Sequence, residues 1–487
     1  MDFIQANLID PIGNVLYTYV LVYLLVAAGV YFTIRTRFVQ FRYFRRMFGQ
    51  LFNSRVGDGG ISSFQAFCVG LASRVGTGNI AGVAIALTVG GPGAIFWMWV
   101  VALIGMATAM VEATLAQIFK VRAGDGSFRG GPAFYIQRGL GSRPGGVLFA
   151  VLLVFTFGFA FNMVQANAIA DVLNASYHIE VYYTTIGLVL LAAPVLFGGV
   201  RRVAKVAEIV LPSMAAAYVL LAFVIIALNI GNLPQAFAQI IGGAFGLDQM
   251  TGGFAGGIAA AMLNGVKRGL FSNEAGMGSA PNVAATATVS HPVKQGLIQS
   301  LGVFVDTIVI CTATALIILV SGPEIYDPQA PGKMAGASLT QSAVAAGLGS
   351  WTTWLMTVLV FVFAFSSVLG NYVYAEVNLF FLGAKKQAIN IFRVLVLAAV
   401  GIGALARLDA VWGIADIAMG LMAIVNLIAI VLLGKWAFAA LRDYHVQAEA
   451  GEDPEFYVED AALPGELEGD IWSRRRVTAA VDGEISA

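Results

Sequence analysis

Two short strings place hydrogen-bonding groups where an otherwise apolar chain would not tolerate them. The first is Ala72-Ser73-Arg74-Val75-Gly76-Thr77-Gly78-Asn79-Ile80-Ala81-Gly82. Gly76 and Gly78 can release the backbone from helical geometry, and Asn79 sets an amide beside the break. Close helix packing through Gly78 and Gly82 would explain the glycines alone, but not the accompanying Arg74, Thr77 and Asn79. The second string is Asn264-Gly265 followed by Gly269-Leu270-Phe271-Ser272-Asn273-Glu274-Ala275-Gly276-Met277-Gly278-Ser279-Ala280-Pro281-Asn282. One proline, two glycines and five polar or acidic side chains between Ser272 and Asn282 exclude an ordinary lipid-facing helix; an extramembrane loop is the alternative to a second interrupted span, which the apolar run Gly252 to Leu263 upstream favours. The chemistry open to such breaks is the binding of a small zwitterion and a monovalent ion. Freed N–H groups at a half-helix N-terminus take a carboxylate, and freed carbonyls take a cation or an ammonium group.

Other polar groups share this apolar setting. Asn162 and Gln165 lie three apart on one helical face, with Asn167 on a different side. Ser366 and Ser367 stand among Phe361, Phe363 and Phe365, where two hydroxyls either complete an oxygen shell around sodium or bond back to the preceding turn. Glu112, Glu274, Asp306, Glu376 and Asp416 are carboxylates at membrane depth. Arg74, Lys267 and Arg268 are their natural counter-ions, and a proton relay among the acids is the alternative use. No hydrolase elbow, phosphate loop or metal-protease motif occurs, and His178, His291 and His445 are dispersed. Cys68 and Cys311 read as small buried hydrophobes. Enzyme chemistry and a resident cofactor are therefore not expected.

The elements that must position these groups are membrane spans. Of the 487 residues, 59% are hydrophobic and 11% charged, with mean hydropathy +0.81, against about 25% charged in a typical soluble domain. Hydrophobic runs bounded by charge predict eleven spans, near 15–34, 61–88, 93–119, 145–170, 181–200, 206–228, 255–290 (interrupted), 296–320, 351–378, 388–406 and 410–434. The start, with Asp2 and Asp10 and no basic region, predicts a permanent first helix rather than a cleaved signal. With the N-terminus outside, 23 of the 28 Lys and Arg residues fall on the cytoplasmic side. Residues 35–60 interleave Arg35, Arg37, Arg42, Arg45 and Arg46 with Phe38, Phe41, Tyr43, Phe44 and Phe48. That pattern predicts a helix lying on the membrane near anionic headgroups, with no nucleic-acid role.

Set apart from residues 1–60, the broken spans open two five-helix sets, 61–228 and 255–434, joined by an extracellular connection over 229–254. An odd repeat length inverts the second set and brings the breaks together near the midplane. Residues 435–487 read as an acidic, disordered cytoplasmic tail, net −9 from Asp443 onward. The fold class is thus an all-α polytopic membrane protein with an inverted repeat. A secondary transporter is the leading reading, a proton-coupled transporter the alternative, and a channel the competitor in another class.

These residues resemble the alanine or glycine:cation symporter family, also described as sodium:alanine symporters. The likeness is carried by Val75 to Gly82, Gly130-Gly131-Pro132-Ala133-Phe134-Tyr135-Ile136, Asn162-Met163-Val164-Gln165-Ala166-Asn167, Gly269 to Pro281 and Phe365-Ser366-Ser367-Val368-Leu369-Gly370-Asn371-Tyr372. It implies an amino acid–polyamine–organocation fold of eleven spans with a five-plus-five inverted repeat. It also implies sodium-coupled uptake of alanine or glycine by alternating access, as a monomer, in a prokaryotic cytoplasmic membrane. By that resemblance Gly76, Thr77 and Gly78 receive the substrate carboxylate, while Gln165, Phe271, Ser272, Asn273 and Gly276 address the amine. Backbone oxygens of Ala72 and Val75 with the Ser366 and Ser367 hydroxyls resemble a sodium site, and Asn79 a second-ion ligand. Arg74 departs from the small or neutral residue common in the family, which makes it a candidate for ion coupling or for pairing with a buried acid.

Overall fold

Backbone groups removed from water must bond within their own segment, and the apolar runs accordingly become helices. The structure, a computed structural model, describes residues 5–52, 60–124, 126–197, 200–246, 254–328 and 336–474. In chain order the helices are α1 (Gln5–Arg35), α2 (Phe44–Phe52), α3 (Ser63–Arg74), α4 (Gly78–Gly90), α5 (Gly93–Ile118), α6 (Pro132–Gly139), α7 (Arg143–Tyr177), α8 (Val181–Leu196) and α9 (Val200–Leu228). There follow α10 (Leu233–Phe245), α11 (Phe254–Asn273), α12 (Pro281–Ala284), α13 (Pro292–Val320), α14 (Ala337–Leu348), α15 (Thr352–Phe381), α16 (Lys386–Leu405) and α17 (Leu408–Glu449). Among the described residues the one sheet is a hairpin between α5 and α6, pairing Val121 with Arg129 and Arg122 with Phe128.

Among the described residues seven helices are long and apolar enough to cross a bilayer. Two bent pairs, α3 with α4 at 47° and the second part of α9 with α10 at 81°, raise that to at most nine. α8 is a shorter apolar helix, and α11 stops at the second break.

The core is built on α5, which packs against α11 and α13. From Gly105 to Ile118 every residue of α5 is buried, as expected of a helix enclosed by protein on all sides, which also shelters Thr108, Glu112, Thr114 and Gln117. Gly296 permits the close crossing of α13, since a side chain there would run into Thr114 and the Met110 carbonyl. A capping box starts α3: Ser62 Oγ accepts from Gln65 N–H and Ser62 N–H donates to Gln65 Oε1, both at 3.1 Å. Just before it, Ile61 N–H donates to Thr286 O (3.1 Å) and Ile61 O accepts from Thr288 N–H (3.0 Å). That bridge ties the entry of α3 to the segment after α12.

The C-terminal segment differs from the disordered extension predicted for 435–487. α17 continues to Glu449, and residues 450–474 fold back over the end of α5 and the start of α13. Phe456 and Trp472 are buried there. Trp472 Nε1–H donates to Gln117 O at 3.0 Å, Phe456 N–H donates to Ser290 O at 2.9 Å, and Asp453 pairs with Lys294 at 2.5 Å. The physical reason is local: two large aromatic rings and one paired acid dock a segment whose average composition is polar. Residues 475–487 lie outside the described ones.

Candidate functional site

The first break opens where Val75 leaves helical geometry (φ −77°, ψ 88°). The amide N–H groups that follow have no helical acceptor, and two side chains take them. Gly76 N–H donates to Asn79 Oδ1 (3.0 Å) and Thr77 N–H to Gln165 Oε1 (3.3 Å). Thr77 Oγ1 is buried without a partner among the described residues. A side chain at position 76 would run into Ser367 Oγ and stand 3.2 Å from Gln165 Oε1, so glycine is needed for α15 and α7 to reach the break. Ser367 Oγ lies 3.0 Å from Ala72 O and 3.0 Å from Phe363 O. Among the described residues Ser366 Oγ bonds only back to Phe363 O, at 2.9 Å. The two adjacent serines are therefore not equivalent: Ser367 spans to α3, and Ser366 serves its own helix.

The second break begins at Glu274, in the left-handed region (φ 58°), followed by Gly276 (φ 87°) and Gly278 (φ 83°). That conformation costs a non-glycine residue about 1–2 kcal/mol, and the Glu274 carboxylate is held by hydroxyls on both oxygens. Ser73 Oγ–H donates to Oε1 at 2.7 Å and Ser279 Oγ–H to Oε2 at 2.6 Å. Glu112 accepts from Gly276 N–H (3.3 Å) and from Asn426 Nδ2 (2.9 Å), and Asn426 also donates to Gly276 O (2.9 Å). The Tyr135 hydroxyl bonds Asn426 Oδ1.

The breaks meet. Ser73 on α3 holds Glu274, and a Cβ built on Gly78 would stand 3.1 Å from Ser272 Cα. Asp306 bridges them from α13, accepting from Asn79 Nδ2 (2.6 Å), Ser272 Oγ (2.8 Å) and Thr307 Oγ1 (2.7 Å). Asn273 Nδ2 donates to Thr307 Oγ1 at 3.2 Å. The Phe271 ring lies 4.5 Å from Phe161 and 4.5 Å from Trp412, which walls this side of the site with three aromatic rings.

The expected counter-ions divide differently. Arg268 pairs with Asp416 and lies 4.5 Å over the Trp412 ring. Lys267 faces the Tyr17 ring at 4.7 Å, and Tyr17 OH donates to Asp416 O at 3.0 Å. Arg74 makes no ion pair among the described residues. Its Nη1 donates to Gln299 O (3.3 Å), while Nε and Nη2 have no partner there. Gly302 leaves room for it, since a side chain there would run into the guanidinium. Asn162 turns away from Gln165: its Oδ1 accepts from Asn371 Nδ2 at 3.0 Å and its Nδ2 donates to Gly158 O at 3.0 Å. Asn167 donates to Gly403 O and Ala406 O.

The structure thus gathers Ala72, Val75, Gly76, Thr77, Gly78, Asn79, Gln165, Ser272, Asp306 and Ser367 around the two breaks. Ser73, Tyr135 and Asn371 stand in the strings quoted above but had no role assigned, and Asn426 was not singled out at all. Asn426 carried a usable signal, being the lone amide in the apolar run Met419 to Leu433.

A family model described as the sodium:alanine symporter family matches residues 1–458. The chain belongs to the sodium:alanine symporter family. Among its relatives, the amino-acid carrier protein AlsT of Bacillus subtilis is 47% identical, over 98% of this chain and 100% of that protein. The protein named probable sodium/glutamine symporter GlnT, also of Bacillus subtilis, is 48% identical over 94% of each. The fold resembles that of the manganese transporter of Eremococcus coleocola, with TM-score 0.52 and 14% identity over 78% of this chain and 80% of that one. At that identity the likeness concerns the fold alone. Family membership makes the chain a multi-pass membrane transporter rather than an enzyme, and supports cation-coupled amino-acid transport.

Proposed function

We propose that this symporter-family member imports a small neutral amino acid, alanine or glycine, together with sodium by alternating access. The observation that carries the reading is the meeting of two helix breaks at Gly76 to Asn79 and Ser272 to Gly276, with Gln165 and Ser367 directed at the first. The Gly76 and Thr77 amides, now held by neutral side-chain oxygens, are donors suited to a substrate carboxylate. Gln165, which already reaches the break, and the Phe271 to Gly276 segment address the amine. Ala72 O, Val75 O and the Ser366 and Ser367 hydroxyls form the sodium site, and Asn79 with Asp306 offers a second oxygen cluster. The three-ring wall of Phe161, Phe271 and Trp412 favours a small side chain over a long one.

The architecture in this proposal is a five-plus-five inverted repeat, 61–228 and 255–434, following the N-terminal helix, with eleven spans. The N-terminus is outside and the C-terminus cytoplasmic, in a prokaryotic inner membrane. The relative named for glutamine supplies the second reading, glutamine as cargo. Equilibrium binding to the purified protein tests both. Because binding linkage is reciprocal, sodium should tighten alanine binding and alanine should tighten sodium binding by the same factor. Alanine affinity indifferent to sodium would refute the coupling, and tighter binding of glutamine than alanine would favour the second reading.

A further inference from the structure

At one end of the bundle, apart from the breaks, α1 and α17 finish side by side over a cavity of about 650 Å³. Five cations line it: Arg35, Arg37, Arg42, Lys435 and Arg442, around the buried ring of Phe438. None of the five forms an ion pair with a carboxylate among the described residues. Arg35 rests on the Phe438 ring at 5.2 Å and Arg42 on the Tyr43 ring at 4.8 Å. The nearby His445 is taken by Tyr43 OH (2.6 Å) and Glu449 (3.2 Å). Five like charges around one hollow repel each other, and a bound anion relieves that repulsion.

The chain geometry sets the depth of the cavity. Arg37 and Phe38 both adopt left-handed backbone (φ 55° and 56°), which turns the chain sharply after α1 and puts Arg42 beside Arg35 at the same cavity. Phe38 and Phe41 are 53% and 61% exposed at this turn, where apolar rings beside arginines suit a segment that lies at the headgroup boundary. Toward the bilayer, Ile34 on α1 and Leu432 and Ile428 on α17 are exposed, so an apolar track leads away from the cations. A free anion would use only the charged rim, whereas an amphiphile would use both surfaces.

We propose that this cavity binds the phosphodiester headgroup of an anionic phospholipid, its phosphate among the arginines and its acyl chains along Ile34, Ile428 and Leu432. Ala462 and Pro464 of the folded-back C-terminal segment complete the wall, so the lipid also contacts the segment that caps the bundle.

The test uses the full-length protein, purified and delipidated in detergent, titrated separately with dioleoyl phosphatidylglycerol, dioleoyl phosphatidylcholine and inorganic phosphate. Native mass spectrometry counts retained lipid and a melting curve reports occupancy. Phosphatidylglycerol should be retained and raise the melting temperature, while phosphatidylcholine and phosphate at the same concentrations should not. The variant Arg35→Gln/Arg37→Gln/Arg442→Gln should weaken phosphatidylglycerol binding at least about tenfold, and the corresponding triple lysine variant should stay within about threefold of wild type because it keeps the charge. Equal retention of both lipids, or undiminished affinity in the glutamine variant, would overturn the proposal. A phosphate effect equal to that of phosphatidylglycerol would assign the cavity to a soluble anion and overturn it equally. If the triple glutamine variant does not fold, the wild-type lipid contrast and the single Arg442→Gln variant decide.

Discussion

Ser367→Ala is the sharpest probe of the proposed sodium site, because it removes one oxygen from a fully buried position and leaves the side-chain volume almost unchanged. In the structure that oxygen lies 3.0 Å from Ala72 O, at the carbonyl end of α3 where the backbone turns out of the helix. If sodium is held there, the loss resembles that of a hydrogen bond to a charged group, about 1.5–3 kcal/mol. The sodium concentration for half-maximal uptake should then rise about 10- to 150-fold. Without an ion, the substitution removes one neutral hydrogen bond, about 1 kcal/mol of stability, and leaves sodium dependence alone. Ser366→Ala should have the smaller effect on sodium, since its hydroxyl bonds only to Phe363 O on its own helix and must rotate to reach an ion. The assay is uptake of labelled alanine into proteoliposomes against sodium concentration at saturating alanine, with a melting curve on each variant. A sodium half-saturation unchanged within about twofold in folded Ser367→Ala protein, or a larger effect at Ser366 than at Ser367, would refute the assignment.

Gln165→Leu removes the acceptor for Thr77 N–H and should cost about 1–3 kcal/mol of substrate binding, roughly 5- to 150-fold in alanine affinity. Sodium binding without substrate should change far less, and normal alanine affinity with a lowered melting temperature would make Gln165 purely structural. Trp472→Ala should destabilise the protein by about 3–5 kcal/mol as a buried aromatic truncation and expose residues 450–474 to protease; an unchanged melting curve would mean the segment does not dock in solution. Outside the spans, burial first and Arg122 second push Lys120 down to about 7, and burial pushes His291 below its ordinary value despite Asp443. For both groups the unfolded chain holds more protons in the window between the two pKa values, so stability rises with pH there. The melting temperature should rise from about pH 7 toward the ordinary lysine pKa near 10.5 and fall on acidification below the ordinary histidine value of 6.5; Lys120→Met should flatten the alkaline rise, and a rise that persists in that variant would place its origin elsewhere.

The helix breaks were legible because glycine, proline and polar side chains inside an apolar run are an energetic contradiction in hydrocarbon; for Ser272 to Asn282 the apolar run Gly252 to Leu263 just upstream favoured an interrupted span over an extramembrane loop. Asp306 and Asn79 were recognisable as polar groups at depth, but their contact joins residues 227 positions apart, which no local pattern encodes. For the same reason the pairing of Arg268 with Asp416, the seating of Arg74 on Gln299 O without an ion pair among the described residues, and the turn of Asn162 toward Asn371 were not readable. Periodicity also leaves α5 ambiguous, since a helix enclosed by protein and one facing lipid are equally apolar. The wide-turn stretches Gly78–Gly82 and Phe304–Cys311 carry no composition of their own, although they hold Asn79 and Asp306; such bulges often accompany functional sites. In the C-terminal segment the averaged acidic composition concealed Phe456 and Trp472, whose individual docking contacts hold the segment against the bundle.

Transport itself is the most direct test of sodium-coupled alanine uptake. The purified protein, reconstituted into proteoliposomes, is given labelled L-alanine or L-glutamine under an imposed sodium gradient, an imposed proton gradient, or neither. Saturable, concentrative alanine uptake driven by the sodium gradient, with weaker uptake of glutamine, is the expected result. Saturable uptake driven by protons in the absence of sodium, or a flux that does not saturate, would contradict it.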